Sequence, residues 1–242
     1  MTLAMVLLAG AGVMMRSFLW AYSLPAGVDT SNILTMRMEL PSVKSDKPEK
    51  ILEFQRRLRE RLRALPGSEN AAVAASPTGT APFDFPCELE GKPSDPEHRL
   101  SVGFQTASDG YFETLRLPAL RGRVLNASDH NPGPPVTVIN QAMAKYLWPN
   151  EGPIGKRFRV FKNNVPGEWI TVVGFTANVL QSGQRKDPQP VAVIPIRQET
   201  RQWMSVIART RNNASSLGNA FRREVQAIDS DLPVLSPRWT TC

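Results

Sequence analysis

Two histidines, His98 and His130, and two cysteines, Cys87 and Cys242, are the residues with which this chain could ligate a metal or build a nucleophile and base pair. Their spacing suits neither task. No HExxH pair or CxxC occurs, and no cysteine lies close in sequence to a histidine. Both histidines stand in polar, proline-containing stretches and read as loop residues. Cys242 is the terminal residue, where a fixed disulfide partner is least expected, so the fold is read as independent of bridges. No serine sits in a GxSxG elbow. Asp187, Asp229 and Asp231 read as turn and cap residues rather than as an acid and base pair.

Glycine motifs lead no further. Gly152-Pro153-Ile154-Gly155-Lys156-Arg157 has two residues between its glycines where a phosphate loop needs four, and Arg157 stands where a magnesium-binding Ser or Thr belongs. It reads as a glycine turn leading into a strand. Gly10-Ala11-Gly12 lacks the third glycine of a dinucleotide fingerprint. Asn126-Ala127-Ser128 and Asn213-Ala214-Ser215 match the glycosylation pattern but read as loop or cap chemistry, with Asn126 opening a turn and Asn213 or Ser215 capping a helix. No catalytic, cofactor-binding or metal residue is therefore assigned, no cofactor is expected, and the chain does not read as an enzyme.

The elements that must carry whatever function remains are legible from periodicity. Ile33 to Leu40 alternates as a half-buried strand and stops at Pro41. A helix is expected from the Asp46-Lys47-Pro48-Glu49 start to Leu65, with Asp46 as possible cap and Pro66-Gly67 as its end. Asn70 to Ser76 is small and apolar and reads as a buried strand, completing a β-α-β unit. A second such unit closes the chain: a strand over Met204–Thr210, a helix over Ala214–Ile228 and a short strand over Leu232–Leu235. Between them lies a β-rich texture, with strands expected at Phe104–Thr106, Pro135–Ile139, Lys156–Val160, Trp169–Val173 and Pro190–Ile194, and short helices at Asp109–Leu115 and Gln141–Trp148.

The first 24 residues differ in kind. Leu3 to Met15 are all apolar or Gly, and apolar character resumes after Arg16 with Phe18, Leu19, Trp20, Ala21 and Tyr22. Met1 to Tyr22 would span roughly 33 Å as a helix, just enough for a bilayer, with Arg16 snorkelling and Trp20 and Tyr22 at the headgroups. A cleaved signal peptide fits less well, since nothing basic precedes Arg16 and no clear Ala-x-Ala follows. A buried core helix is the remaining alternative. The basic residues nearest the helix lie on its C-terminal side, against an outward orientation, but long domains translocate largely regardless of charge.

Composition sets bounds on the rest. A hydrophobic content of 41% and 21 prolines suit a loop-rich α+β fold with an ordinary core. The net charge of +7 would admit nucleic acid as a partner. Much of that excess lies between Gln55 and Arg63, where Leu58, Leu62 and Leu65 recur at helical spacing and arginines fill the remaining faces, so a solvated helix face is expected and no nucleic-acid partner. No aromatic residues interleave there for stacking bases.

Taken in order, these segments resemble the MacB-like periplasmic core domain of MacB-like and FtsX-like ABC transporter permeases, of the type common in Acidobacteria. The resemblance rests on Leu7 to Phe18, Ile33-Leu34-Thr35-Met36, Leu62-Arg63-Ala64-Leu65-Pro66-Gly67, Gly110-Tyr111-Phe112-Glu113-Thr114-Leu115 and Leu120-Arg121-Gly122-Arg123. It continues through Val138-Ile139-Asn140-Gln141-Ala142-Met143-Ala144, Trp148-Pro149, Pro153-Ile154-Gly155-Lys156-Arg157 and Thr171-Val172-Val173-Gly174. It implies a porter-like subdomain built from both chain ends, with an inserted β-rich subdomain. The expected division is a transmembrane helix at 1–24, the first porter-like half at 25–80, the insert at 81–200 and the second half at 201–242.

The resemblance also implies a bacterial inner-membrane protein whose bulk is periplasmic, and a non-catalytic role in coupling cytoplasmic ATP hydrolysis to movement of substrate across or out of the membrane. Its implied partners are a cytoplasmic ABC ATPase domain or subunit, a second copy in a homodimer, a periplasmic adaptor protein, and lipid through the N-terminal helix. The chain is expected to be part of a longer permease. Ligand contacts are expected along Phe83 to Arg99, read as the loop-rich start of the insert. A membrane-tethered binding or scaffold module is the alternative function, with an envelope hydrolase third.

Overall fold

Alternation of Leu34, Met36 and Met38 against Ile33, Thr35 and Arg37 builds the first strand, β1 (Ile33–Glu39). Its two faces go to different cores, Leu34, Met36 and Met38 to one and Ile33 to another. In this computed structural model the residues described are 12, 14, 28–29, 31–40, 47–75, 82–130, 132–179, 187–211, 217–229, 232 and 238–239. The expected membrane helix therefore lies outside the described residues, apart from helical Gly12 and Met14, and so do Asp46, Asn213, Ser215, Asp231 and Cys242. Among the described residues no helix is long and apolar enough to cross a membrane.

Helix α1 (Pro48–Ala64) begins with Pro in its first turn and has Lys47 at the N-cap, with no side-chain cap bond, so the cap position does not fall on Asp46. Leu58 and Leu62 are fully buried and Leu65 packs beside them. The arginines divide. Arg56 and Arg57 form ion pairs with Glu53, and Arg56 another with Glu60, on the open face. Arg59 instead turns inward and is buried, contrary to the expected solvated stripe, because Asp109 lies opposite it. Strand β2 (Ser68–Ala74) follows.

The insert supplies β3 (Phe83–Leu89), a 3-10 turn at Pro96–His98, β4 (Leu100–Ala107), α2 (Tyr111–Thr114), β5 (Ala119–Gly122), β6 (Val136–Asn140), α3 (Gln141–Leu147), β7 (Arg157–Lys162), β8 (Val165–Pro166), β9 (Ile170–Thr176) and β10 (Val191–Pro195). The chain then returns through β11 (Trp203–Thr210), α4 (Gly218–Ile228) and β12 (Arg238–Trp239). The Leu232–Leu235 strand expected from the sequence falls mostly outside the described residues, and the last strand described is β12. Leu232 is a buried core residue outside any strand, and Pro233 to Leu235 lie outside the described residues.

Pairing explains how the two chain ends meet. Strand β11 pairs antiparallel with both β1 and β2, so these two run parallel with β11 between them. Strand β12 pairs antiparallel with β1 on its other side. The order β12-β1-β11-β2 thus interlocks two split β-α-β units, each holding a strand of the other, rather than setting two halves side by side. Helices α1 and α4 cover one face through Ile51, Leu58, Leu62, Phe221 and Val225, joined at the surface by an Arg61–Glu224 ion pair of 3.1 Å.

The insert closes on itself. Its strands run β4-β10-β6-β9-β7-β3, and β3 pairs back to β4, giving a six-stranded ring. Phe104, Phe158, Val160, Ile170, Val172 and Ile194 belong to its core, and α3 adds Met143 and Leu147. Among the described residues, ring and porter-like sheet are joined in one sheet by the Ala74 to Ala107 bridge, and Ile33, Ala72 and Ile207 share a core with Ala107, Tyr111, Phe112 and Val191.

The segment from Phe83 to Arg99 is consequently no loop-rich start. Phe83–Leu89 is an interior strand, and only the remainder is connection. Pro86 concealed it, because proline is out of place in a central strand. Here β7 pairs only with Cys87 to Leu89, so at Pro86 the strand has one neighbour and no second ladder bond to lose.

Candidate functional site

The chain reaches β1 through Asp29 and Ser31, and there it is tied down. Among the described residues Arg209 is the largest fully buried side chain, 1% exposed, near the end of the interior strand β11. It donates from Nε to the Thr114 carbonyl at 2.7 Å, from Nη1 to the Ser31 carbonyl at 2.9 Å and from Nη2 to the Asp29 carbonyl at 2.5 Å. Its Nη1 also lies 3.3 Å from the Asp29 carboxylate. One guanidinium thus fixes the incoming chain, β11 and the end of α2 together, using its rigid fork of donors.

Outside it, Arg116 bridges Asp29 at 2.9 Å and Glu69 at 3.1 Å. Hydrogen bonds from the Ser31 hydroxyl and amide, with Arg209 and Arg116 nearby, hold the Asp29 carboxyl below its ordinary range against the opposing effect of burial.

A second tie spans the junction of the two units. Arg59 of α1 donates to the Asp109 carboxylate at 2.6 Å and to the Asp109 carbonyl at 2.9 Å. The Ser108 hydroxyl accepts from the Val73 amide at 3.0 Å. Burial raises the Asp109 carboxyl, but Arg59 and, further off, Arg197 outweigh it, and the net shift is downward. Beside this tie lies a cavity of 370 Å³ lined by α1 on one side and by Ser108, Asp109, Ile196 and Arg197 on the other. A second cavity of 380 Å³ opens at the insert's ring near Phe104, Lys162 and Glu199, where Lys162 and Glu199 pair at 2.6 Å.

The residues considered for chemistry are not brought together. His98 ends the 3-10 turn, 3.2 Å from Asp95, and His130 lies exposed in another loop. Cys87 is buried and free, and burial pushes its thiol up to about 12. Asp229 caps the end of α4 and Asp187 lies exposed at a bend. Asn126 does open a turn, its Oδ1 accepting from the Ser128 amide at 2.9 Å. Among the described residues no group of three His, Cys, Asp or Glu could hold a metal. Phe83 to Arg99 contributes no lining residue to either cavity above.

The motif residues do meet, as turns and packing. Gly122 and Gly174 are facing partners of β5 and β9. A Cβ at Gly174 would fall 2.0 Å from the Arg123 carbonyl oxygen, and one at Gly122 2.2 Å from that of Val173, with Gly122 at a φ of +73° that side chains rarely adopt. Asn140 closes the β6 to α3 corner: its Oδ1 accepts from the amides of Met143 at 2.9 Å and Val191 at 3.0 Å, and its Nδ2 donates to the Gln189 carbonyl at 2.6 Å. From sequence Asn140 is assigned no role, although an Asn just ahead of a helical run is the signal that finds such a cap. The roles of Arg209 and Asp29 were not readable there, because 180 positions separate them.

A family model described as the MacB-like periplasmic core domain matches residues 1–228. Among solved structures, the periplasmic region of MacB from Actinobacillus actinomycetemcomitans is similar at a TM-score of 0.56 and 15% identity, covering 87% of this chain and 90% of that one. The extracellular domain of the noncanonical ABC-type transporter YknZ from Gram-positive bacteria gives 0.53 and 14%, covering 85% and 100%. A domain of a putative permease from Porphyromonas gingivalis gives 0.51 and 14%, covering 88% and 92%. No curated protein sequence matches the chain. With a mixed fold of that kind, and a family match over nearly its whole length, the chain belongs to the MacB-like periplasmic core domains of ABC transporter permeases.

Proposed function

We propose that this domain is a non-catalytic transmission element, coupling ATP hydrolysis by a cytoplasmic ABC ATPase to movement of substrate across or out of the bacterial inner membrane. The observation that carries this reading is the arrangement of the chain ends. Strands β1 and β12 are antiparallel neighbours, with Leu34 facing Trp239 and Thr35 facing Arg238, so the chain arrives at and leaves the same end of the sheet. Arg209 binds the arriving segment to the end of the interior strand β11 through Asp29 and Ser31. A displacement of a membrane helix preceding Asp29 would be passed to a rigid sheet rather than lost in a slack linker.

The division into a porter-like unit (25–80 and 201–242) and an insert (81–200) is part of the same proposal. The Ala74–Ala107 bridge, the Arg59–Asp109 tie and a core shared between Ile33, Ala72 and Ile207 and Tyr111, Phe112 and Val191 join the two, so a movement of the porter-like unit would be passed to the insert. A membrane helix within 1–24, a homodimer and a periplasmic adaptor complete the reading. The test is protease digestion of intact spheroplasts, followed by affinity purification of the chain with its membrane partners. Digestion without permeabilisation and co-purification of an ATPase are expected. Full protection, or no ATPase in the complex, would overturn it.

A further inference from the structure

The cavity beside α1 contains a side chain that the fold does not use. Gln55 is 4% exposed, and neither its Oε1 nor its Nε2 has a hydrogen-bond partner within the described protein. A buried amide left in this condition costs free energy, and a leucine at the same helical position would bury more cheaply between Ile51 and Leu58. Gln55 lines the 370 Å³ cavity, whose floor is apolar at Leu52, Val73 and Ile196 and whose rim carries both charge signs at Glu49 and Arg197. An apolar floor beside an unfilled polar anchor, under a rim that also holds Glu53, Arg56, Asp109 and His130, is the make-up of a small-molecule site, and the volume falls at the lower end of such sites.

We propose that this cleft binds a small molecule of about dipeptide size that carries a primary carboxamide, through a two-bond ring between that carboxamide and the Gln55 carboxamide. Both free atoms of Gln55 must be satisfied together. A carboxylate accepts only from Nε2, an ammonium donates only to Oε1, and a trans peptide amide turns its N–H and C=O to opposite sides, whereas a primary carboxamide presents an adjacent acceptor and donor that match both. An apolar side chain of the bound molecule rests on Leu52, Val73 and Ile196, and the mixed rim accommodates a molecule carrying charges of either sign. Because the cavity is walled by α1 and by the Ser108–Asp109 and Ile196–Arg197 segments, the bound molecule bridges the two units beside the Arg59–Asp109 tie. This inference does not depend on the transmission reading.

The probe is N-acetyl-leucinamide, whose primary carboxamide can close the ring, titrated into the full chain in nanodiscs and followed by NMR at the Gln55 side-chain amide and the Leu52, Val73 and Ile196 methyls. A saturable shift at these groups is expected, weakened about tenfold or more in Gln55→Leu, while that variant unfolds at no lower temperature than the native chain. Gln55→Met, similar in length and without hydrogen-bonding groups, gives a second reading should the leucine variant fail to fold. No saturable shift at these groups, or an unchanged affinity in a folded variant, overturns the proposal.

Discussion

Replacing Arg209 by methionine keeps a long apolar stem but deletes the guanidinium, and the structure sets the size of the effect. The substitution strands the carbonyls of Asp29, Ser31 and Thr114 and leaves the Asp29 carboxylate without its inner counter-charge. Breaking a buried, multiply bonded charge in this way costs about 3–5 kcal/mol. For a domain of this size that lowers the midpoint of thermal unfolding by roughly 6–20 °C. The control is Arg116→Ala, whose partners are the same Asp29 and Glu69 but whose side chain is 53% exposed, so that its loss costs under about 1 kcal/mol.

Scanning calorimetry of both variants against the native chain, in nanodiscs at neutral pH, reads the difference. The Asp29 contribution has a definite pH sign. Its folded pKa lies below the unfolded value, so this stability is present above the ordinary carboxylate range and is lost as pH falls below it. The native chain should lose more stability than Arg209→Met on acidification through that range. Equal stability of Arg209→Met and Arg116→Ala would refute the view that Arg209 is the tie.

Other consequences follow from the same packing. Gly174→Ala should destabilise the chain by about 2 kcal/mol or more in chemical denaturation, because the new methyl meets the Arg123 carbonyl at 2.0 Å and the backbone must shift. Asn140→Ala removes a helix cap and two further bonds and should cost about 2–3 kcal/mol, whereas Asn140→Asp retains the acceptor and should cost less. The Cys87 thiol, buried with its pKa pushed up to about 12, should resist maleimide at pH 8 in the folded chain and react once denatured, as mass spectrometry of the Cys87 peptide would show.

The sequence carried the local elements well because their signals are local. The Leu34, Met36 and Met38 alternation and the Leu58 and Leu62 stripe each lie within one strand or one helix, and each is built as its pattern requires. What was not legible is non-local. The insertion of β11 between β1 and β2 pairs residues such as Met36 and Val206, and the closing of the insert's ring pairs Val191 with Gly103. No window of sequence contains either contact. Arg59 was misplaced on a solvated face for the same reason, since its partner Asp109 lies 50 residues away. Strand β3 was missed through Pro86, whose meaning depends on how many neighbours the strand has at that position.

The central claim is that ATP hydrolysis in the cytoplasm moves this domain. A spin label at Val165, 65% exposed at the start of β8 on the rim of the insert, would report it by pulsed electron resonance between two copies in the assembled permease with its ATPase. The label-to-label distance distribution should shift between the nucleotide-free and the vanadate-trapped complex. An unchanged distribution in a complex that still hydrolyses ATP would contradict the account.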